Sequence, residues 1–571
     1  EYVEAAMRVR QGQLDEATAA LDRAMSILDA QPRVPRRWLP QIEFLQAVVA
    51  EKRRDFPGAQ SLLDRSITGY RALAPNSRNE ALAWLEVGRV QAAQDRNDLA
   101  LQSFRSGFAI LQERKDGIAA EDAMPYFQAA LAEAARGAAG RQQLFTEMFG
   151  MGQLIRSTRT TQSIALASAR LSSSDRRIGQ LIRELQDARQ KRDAATEALA
   201  RAHADPAMLA PQIQAMEQRW QSLAAAVGNL ERQVQAAAPR YQQLLDSPAG
   251  AESAAGLLHP DEALVQIVVG PSQSIVFFLD ADGIEAYAAE TGERDLQRDV
   301  TLLRAPFDQV QGAPYDAARA YELYRKLLGP VAPRLARARH LIVVPSGPLL
   351  AFPFGALVTA PPPAIADGDY SDVSWLAKRQ AITLAPSVQA FVGLRQHVQP
   401  SRASHPLIGF GDFLPERDVK GTLSALALPE TCQPEIEAIA HLSRLPGSVG
   451  ELQAVRQALG GASQDIHLRR DFTEAAIEKA NLQDYRVLYF ATHALLPRDF
   501  SCWAEPMLLV SADPGEDDGL LLASEIAELE LDADLVVLSA CNTAAPGGGG
   551  SAAESLSGLA RAFFYAGARS L

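Results

Sequence analysis

Cysteine is scarce in this chain of 571 residues, which contains three in all, Cys432, Cys502 and Cys541. An odd, unpatterned set of this size argues against a disulfide scaffold and against a zinc site built from paired thiolates. Apolar runs are short as well, and none approaches the ~20 residues that a membrane-spanning helix needs. We therefore expect a protein of a reducing compartment, the cytoplasm, with no metal, no cofactor and no membrane span.

Basic residues are missing between Arg498 and Arg561, where nine Asp and Glu residues lie between positions 513 and 534. Residues 251–571 together carry 24 basic and 40 acidic residues, so the net charge of −13 originates there. A surface that follows the phosphates of a nucleic acid needs the opposite sign. The charge distribution therefore argues against nucleic-acid binding through this part of the chain.

Residues 1–115 carry Ala and Leu at helical spacings, and three of their segments repeat. The repeats align on Ala17, Ala59 and Ala100, with a large apolar residue four positions after each one. A small residue followed by a large one is typical of two closely packed helices, as in a tetratricopeptide hairpin, although the spacing exceeds the usual period of about 34 residues. We predict tetratricopeptide-like repeats in residues 1–140, which would bind a protein partner on their concave surface. An irregular helical bundle is the alternative, and it predicts the same helices.

A second helical segment, residues 141–250, shows a heptad pattern instead of this repeat. Its apolar residues step by three and four in alternation, as in the seam of a coiled coil: Ile213, Met216, Trp220, Leu223, Val227, Leu230 and Val234. A similar stripe of Ile178, Leu181, Leu185 and Ala188 precedes prolines at 206 and 211, where a helix should end. We predict an antiparallel coiled-coil hairpin, and core-facing helices packed on the following domain are the alternative.

Short apolar runs bounded by Gly, Pro, Ser and Asp replace the helical pattern from Ala263 onward. Three runs between 263 and 290 predict a β-meander, and the later runs alternate with amphipathic helices. Such alternation is typical of a mostly parallel sheet flanked by helices. The expected fold class is therefore a helical amino-terminal half followed by an α/β domain over residues 251–571.

Two reactive side chains follow buried strands that we predict at 487–491 and 535–538. His493 comes after the first strand and Cys541 after the second. Ligands of open α/β sheets bind outside the carboxyl ends of the strands, so the fold should bring the two side chains together. A Cys with a His roughly 50 residues upstream is also the caspase-type order, and the separation here is 48 residues.

The segments around these two residues resemble a known family. THALL at 492–496, LVVLSACNTA at 535–544 and SLSGLARAFFYAGARS at 555–570 are similar to the CHAT peptidases, caspase-like enzymes often preceded by tetratricopeptide repeats. VPSGPLLAFPFGAL at 344–357 and SWLAKRQAITLAPS at 374–387 agree with this resemblance. It covers roughly residues 250 to 571 and implies a caspase-like peptidase domain.

Two features depart from the family pattern. Ala494 stands where many members have Gly after the His, which bears on the backbone geometry at that position. Members also usually continue beyond the strand at which this chain stops, and the chain does not begin with Met. We therefore expect the domain to be incomplete at its C-terminal end and the chain to be a fragment.

The chemistry of a Cys-His pair begins with the thiolate, since a free thiol is only slightly ionised at neutral pH. His493 would help to generate the Cys541 thiolate and would then protonate the departing amine. The backbone N–H groups of Ala494 and Cys541 would hold the oxyanion. The resemblance implies that a backbone carbonyl orients the imidazole, so we assign no acidic third residue. A Cys after an apolar strand is otherwise most often a small buried hydrophobe, which is our interpretation of Cys432 and Cys502.

We therefore expect a cysteine endopeptidase that acts on protein substrates, with a regulator or a substrate protein bound by the helical repeats. The alternative is a non-catalytic scaffold with a degenerate peptidase-like domain, and the presence of both His493 and Cys541 favours the enzyme. Asp412 follows the strand predicted at 406–410 and is a candidate substrate-binding residue, because strand ends line the cleft. A carboxylate at that position would favour cleavage after Arg or Lys.

Overall fold

The computed structural model of this protein describes most of the chain. The described residues are 1–30, 38–114, 116–137, 140–155, single positions between 181 and 202, 210–237, 249–308, 314–365, 368–397, 400–415, 432–495, 506–512, 518–540 and 558–571. No described helix is both long enough and apolar enough to cross a bilayer.

The described helices are α1 (Tyr2–Arg10), α2 (Leu14–Ala30), α3 (Trp38–Lys52), α4 (Phe56–Leu73), α5 (Arg78–Ala92), α6 (Asn97–Arg114), α7 (Ala120–Arg136), α8 (Arg141–Gly152), α9 (Ala210–Ala237), α10 (Ala251–Ala255), α11 (Glu293–Asp308), α12 (Ala317–Leu327), α13 (Ala332–Leu335), α14 (Val388–His397), α15 (Gln433–Ala440), α16 (Gly447–Leu459), α17 (Glu474–Lys479), α18 (Ala523–Glu528) and α19 (Gly558–Ala566). The described strands are β1 (Glu262–Val269), β2 (Ser274–Asp280), β3 (Gly283–Ala289), β4 (His340–Val344), β5 (Ala381–Leu384), β6 (His405–Gly411), β7 (Ile466–Leu468), β8 (Tyr485–Ala491), β9 (Ala494–Leu495), β10 (Met507–Leu509), β11 (Leu520–Leu522) and β12 (Leu535–Ser539). A helical amino-terminal half is thus followed by an α/β region, as predicted.

The chain divides into two compact units. The first consists of residues 1–156, 247–295 and 325–341, and the second of residues 157–246, 296–324 and 342–571. The first unit therefore includes strands that follow residue 250 as well as the helices that precede it. The three-part division expected from the sequence, with borders at 140/141 and 250/251, stays a prediction.

Helices α1 to α6 of the first unit pack as consecutive pairs, α1 with α2, α3 with α4 and α5 with α6. Each of the aligned small residues is the fourth residue of the second helix in a pair and has no exposed surface: Ala17, Ala59 and Ala100. The large residues four positions later are buried too: Leu21, Leu63 and Phe104. The repeated helix pair predicted from the sequence is present, and its assignment to the tetratricopeptide class stays a prediction.

The predicted β-meander is confirmed in the first unit, because β2 pairs in antiparallel fashion with both β1 and β3. Every residue of β1 and β2 is buried, which explains their continuous apolar sequence. The ring of Phe277 on β2 meets the rings of Phe127 on α7 and Phe149 on α8 edge to face, at centroid distances of 6.0 and 5.8 Å. Helices and meander therefore share one hydrophobic core.

The second unit contains a four-stranded sheet in the order β12, β8, β6, β7. All three pairings in this sheet are parallel. Parallel neighbours need crossover connections, and helices α15 to α18 lie in the chain segments between these strands. The mostly parallel sheet predicted from the alternation of strands and helices is thus confirmed.

A row of stacked rings runs across this sheet. His467 on β7, Phe410 on β6 and Phe490 on β8 occupy paired positions, and the ring centroids are 5.1 Å apart at both steps. Phe563 of α19 continues the row at 5.3 Å from Phe490. Burial lowers the pKa of His467, which favours a neutral ring in this stack. A slip of one residue would turn each ring to the other face, so the row fixes the register of the sheet.

Two further segments of the second unit bear on the sequence predictions. Strands β9, β10 and β11 form a small antiparallel sheet that the sequence did not predict. Helix α9 carries the predicted heptad seam, and Val227 is buried while its neighbours in the seam with described side chains are half-buried. The indole nitrogen of Trp220 donates to the hydroxyl of Thr196 at 2.8 Å. Ile178 lies outside the described residues, and the coiled-coil hairpin stays a prediction.

A close contact between α5 and α6 supplies a test of the helix pairs. A Cβ added at Gly88 would lie 2.7 Å from the buried ring of Phe104, whereas one added at Gly150 of α8 would meet nothing within 4 Å. We expect Gly88→Ala to lower the free energy of unfolding by about 1–3 kcal/mol, because a full core has no room for a methyl group. The matched change Gly150→Ala should be neutral or stabilise by up to about 1 kcal/mol. Chemical unfolding followed by helical circular dichroism measures both, and equal effects would contradict the packing.

Candidate active site

The carboxyl ends of three parallel strands lie side by side at one edge of the four-stranded sheet. The last paired positions are Gly411 of β6, Ala491 of β8 and Ser539 of β12, which are in register with one another. His493 follows Ala491 by two residues, and Cys541 follows Ser539 by two residues. Cys541 itself lies outside the described residues.

The main chain at His493 is held by the small antiparallel sheet. The carbonyl of His493 accepts from the N–H of Leu509 at 2.9 Å, and the hydroxyl of Thr492 donates to the carbonyl of Leu509 at 2.6 Å. The carbonyl of one residue and the N–H of the next belong to the same trans peptide unit, and they point in opposite directions. Since the carbonyl of His493 points toward β10, the N–H of Ala494 points away from β10, as an oxyanion donor would need.

Ala494 fits the backbone at this position without strain. Ala494 lies in β9 and pairs with Leu508 of β10. Five described non-glycine residues have a positive φ, and Ala494 is not one of them. A glycine is required only where φ is positive or where a Cβ would collide. The replacement of the usual family Gly by Ala therefore does not distort the turn after His493.

The imidazole of His493 is oriented by two groups from other segments. Its Nε2 lies 2.8 Å from the carbonyl oxygen of Ser443, in the connection between α15 and α16. A carbonyl can only accept, so Nε2 carries the hydrogen and Nδ1 is left as the basic nitrogen. The ring of Phe413 meets the imidazole edge to face, with centroids 5.4 Å apart and planes at 90°. The carbonyl of Ser443 thus takes the orienting role for which no acidic residue was assigned.

Asp412 lies at the end of β6, as predicted, in a cluster with two arginines. Its Oδ1 lies 3.2 Å from Nε of Arg444, and its Oδ2 lies 2.6 Å from the Nη2 atom of the same guanidinium. Nε of Arg469 lies 2.9 Å from Oδ2 as well. The carboxylate has no exposed surface, whereas the side chains of Arg444 and Arg469 are 40% and 59% exposed.

Burial and ion pairing act in opposite directions on Asp412. Burial alone would raise the pKa of its carboxyl group, but the hydrogen bonds and charges of Arg444 and Arg469 outweigh it and lower the pKa below the ordinary value. Asp412 and Arg469 also share a left-handed backbone, with φ of 52° and 56°. Such values are uncommon outside glycine and persist where tertiary contacts hold them.

Ser511 forms hydrogen bonds with the chain segments that carry this cluster. Its buried hydroxyl accepts from the N–H of Leu414 at 2.8 Å and donates to the carbonyl of Arg469 at 2.7 Å. The N–H of Ser511 donates to the carbonyl of Phe472, also at 2.7 Å. The chain after β6 and the chain after β7 are therefore joined by hydrogen bonds as well as by the ion pair between Asp412 and Arg469.

Comparison with known families identifies this part of the molecule. The family model of the CHAT domain matches residues 317–571. Residues 317–571 are thus similar to a CHAT domain. The match begins at α12, which is later than the start near residue 250 expected from the resemblance, and no curated protein matches the chain. The CHAT domain is caspase-like, which agrees with the parallel sheet of the second unit.

The role expected of Asp412 in the CHAT domain differs from what its surroundings allow. A pocket for Arg or Lys needs a carboxylate that is open to a ligand, and this carboxylate is buried and bound on both oxygens by Arg444 and Arg469. Two cations against one anion leave the cluster with a net positive charge. In this structure Asp412 joins three chain segments and does not line an open acidic pocket.

The sequence did not single out Ser443, Arg444 or Arg469. Ser443 acts through its main-chain carbonyl, which any residue supplies, so no side-chain pattern marks it. Arg444 and Arg469 are two of the 24 basic residues between 251 and 571. Their common partner Asp412 lies 32 and 57 residues away in the chain, and only the fold brings them together.

Cys432 differs in part from its interpretation as a small buried hydrophobe. It is buried, with 2% of its surface exposed, but it takes part in a disulfide bond. Disulfide bonds are uncommon in reducing compartments, so this one does not support the expected cytoplasmic location, which stays a prediction. Cys502 lies outside the described residues. Among the residues that the structure describes, no cluster of His, Cys, Asp and Glu is arranged to hold a metal ion.

The lowered pKa of Asp412 predicts how stability depends on pH. A carboxylate with a depressed pKa stabilises the fold above its unfolded pKa of about 3.9, and this contribution is lost as the pH falls through the folded value. At pH 7 we expect Asp412→Asn to lower the free energy of unfolding by about 1.5–3 kcal/mol, the range for hydrogen bonds to charged groups. The difference in the free energy of unfolding between the wild-type protein and Asp412→Asn should shrink below about pH 4.

Denaturant titrations of both proteins at pH 7, 5 and 3.5 measure this difference. The exposed Asp372 provides the matched control, since Asp372→Asn removes a carboxylate from the surface of the same domain. A loss that is the same at all three values of pH would show that the charge of Asp412 is not its cause.

Proposed function

We propose that this protein is a cysteine endopeptidase in which Cys541 is the nucleophile and His493 the general base. The observation that carries the proposal is the parallel pairing of β8 with β12, in register up to Ala491 and Ser539. Neighbouring strands lie about 4.8 Å apart. His493 and Cys541 each follow one of these paired residues by two positions, so the two would leave the sheet from neighbouring strand ends. A Cys-His dyad needs its two residues at about this separation.

A described residue on the other side of β8 supports this extrapolation. Phe413 lies two positions beyond Gly411, the partner of Ala491, and its ring contacts the imidazole of His493. The chain segments after β6 and β8 thus remain in contact two residues past the last ladder pair. The same continuation from β12 would bring Cys541 to the opposite flank of the imidazole.

The tautomer of His493 supports its role as a base. Because Nε2 donates to Ser443, Nδ1 is the nitrogen that can take the proton of the Cys541 thiol. The thiolate would attack the carbonyl carbon of the peptide, and the resulting oxyanion would be held by the N–H groups of Ala494 and Cys541. The imidazolium would then return its proton to the leaving amine, and water would release the acyl group.

The helical pairs are proposed to bind a regulator or a substrate protein. Helices α3 and α4 leave a groove of about 560 Å³ between them. It is lined by Leu39, Pro40, Gly69, Ala72 and Leu73 together with the polar residues Glu43, Asp64, Arg65 and Thr68. Leu73 is 54% exposed at one end of this groove. A groove between stacked helices suits a peptide segment better than it suits chemistry.

Substitution of the dyad tests the proposed activity directly. Cys541→Ala and His493→Ala should each lower kcat/KM for a fluorogenic peptide by at least about a thousandfold, since the nucleophile and its base act as one unit. His405→Ala is the matched control. His405 is exposed at the amino end of β6, at the opposite edge of the same sheet, so its loss should leave kcat/KM within about twofold.

A peptidyl probe with a thiol-directed warhead distinguishes the enzyme from a scaffold. The wild-type protein should be labelled at Cys541, with mass spectrometry of the digest locating the adduct, and His493→Ala should react at least ~30-fold more slowly. A protein that is labelled equally fast with and without His493, or that cleaves none of a broad peptide library, would be the scaffold and not the peptidase.

A further inference from the structure

Phe413 and Ser443 orient the imidazole of His493, and each is the chain neighbour of one partner in the ion pair between Asp412 and Arg444. Phe413, whose ring packs against the imidazole, directly follows Asp412. Ser443, whose carbonyl binds Nε2, directly precedes Arg444. Asp412 and Arg444 form a two-point pair, Nε to Oδ1 at 3.2 Å and Nη2 to Oδ2 at 2.6 Å. A single ion pair therefore fixes the positions of both groups that contact the imidazole, the ring of Phe413 and the carbonyl of Ser443.

The geometry of this pair suits a positioning role. A bidentate guanidinium-carboxylate pair fixes direction as well as distance, unlike a pair made through one atom. Asp412 is completely buried, and its left-handed φ of 52° turns the chain after β6 so that Phe413 faces the imidazole. Arg444 reaches this carboxylate from the connection between α15 and α16, and so anchors the peptide unit that carries the Ser443 carbonyl.

Arg469 offers an internal comparison. It binds the same carboxylate through one contact of 2.9 Å, but it comes from the segment after β7. Its main-chain carbonyl accepts from Ser511 and from the N–H of Phe472, and a substitution of the side chain leaves that carbonyl in place. The guanidinium of Arg469 is linked to the surroundings of the imidazole through Asp412. Loss of Arg469 should weaken the cluster without releasing the Ser443 carbonyl.

We propose that Asp412 is a positioning residue for His493: its pair with Arg444 holds the Ser443 carbonyl on Nε2 and thereby keeps Nδ1 free to accept the proton of the Cys541 thiol. This inference rests on the proposed function for the proton transfer alone. The tautomer that it requires is a property of the folded protein and is measured without a substrate. The proton moves from sulfur to Nδ1, which leaves a thiolate and an imidazolium.

The test uses the full chain labelled with ¹⁵N in its eight histidines. His493→Gln assigns the His493 signals by their loss. In the wild-type protein, the imidazole ¹⁵N shifts of His493 should be those of a ring protonated at Nε2. In Asp412→Asn and in Arg444→Gln they should move to an average of the two tautomers, whereas Arg469→Gln should retain the wild-type pattern.

Steady-state kinetics of the same variants supplies the second readout. If Asp412 positions the base, Asp412→Asn and Arg444→Gln should lower kcat at least tenfold with KM changed by less than about threefold. If Asp412 instead binds a basic side chain of the substrate, Asp412→Asn should raise KM for peptides with Arg or Lys before the scissile bond and leave the His493 tautomer unchanged. That second pattern would overturn the inference.

The two readouts separate this inference from the proposed function. A tautomer change in a protein that cleaves no peptide would uphold the positioning role and refute the peptidase. An unchanged Nε2-protonated signal in Arg444→Gln refutes the positioning role whatever the activity. Arg444 is partly exposed, so this variant is expected to fold even where Asp412→Asn does not, and its spectrum then decides.

Discussion

The parallel register of β6, β8 and β12 is the constraint on which the candidate site depends. Because Gly411, Ala491 and Ser539 end the ladders at the same level, the residues that follow them leave the sheet at one edge. Stacking of Phe410 on Phe490 keeps this register, since a one-residue slip would turn the two rings to opposite faces of the sheet. The placement of the candidate site at this end of the sheet is thus a consequence of packing in the middle of the sheet.

Close packing behind the sheet complements this register. Glycine at 409 and 411 leaves no side chain between β6 and α16, and a Cβ at Gly411 would lie 2.8 Å from Leu452 and 3.2 Å from the carbonyl oxygen of Ala491. The connection that ends at α16 carries Ser443 and Arg444. The approach of α16 to β6 therefore also determines how far that connection lies from His493.

The charged cluster at this edge shows how a buried acid is retained. An unpaired buried carboxylate costs several kcal/mol, and removal of one partner from a buried pair is correspondingly expensive. Asp412 has two partners from two different segments, Arg444 and Arg469, so all of its ion-pair contacts form only when both segments are in place. The cluster thus couples the folding of three loops to the orientation of one imidazole.

Local patterns in the sequence predicted most of the described helices and strands, though not β9 to β11, and they suggested the two residues of the proposed dyad. Helical spacing predicted α1 to α6, and the buried positions of Ala17, Ala59 and Ala100 follow from the need of paired helices for small residues. Apolar runs predicted β1 to β3, β6, β8 and β12 to within about two residues. His493 was found because it follows such a run directly.

Only the tertiary structure decided what surrounds His493. The Ser443 carbonyl has no sequence signature, because every residue carries one, and the pairing of Asp412 with Arg444 and Arg469 joins residues far apart in the chain. The sequence placed Asp412 at a strand end but not in an ion pair, so its carboxylate was interpreted as open. A sequence reports local propensity and periodicity, whereas the state of a buried charge depends on which distant side chains the fold brings to it.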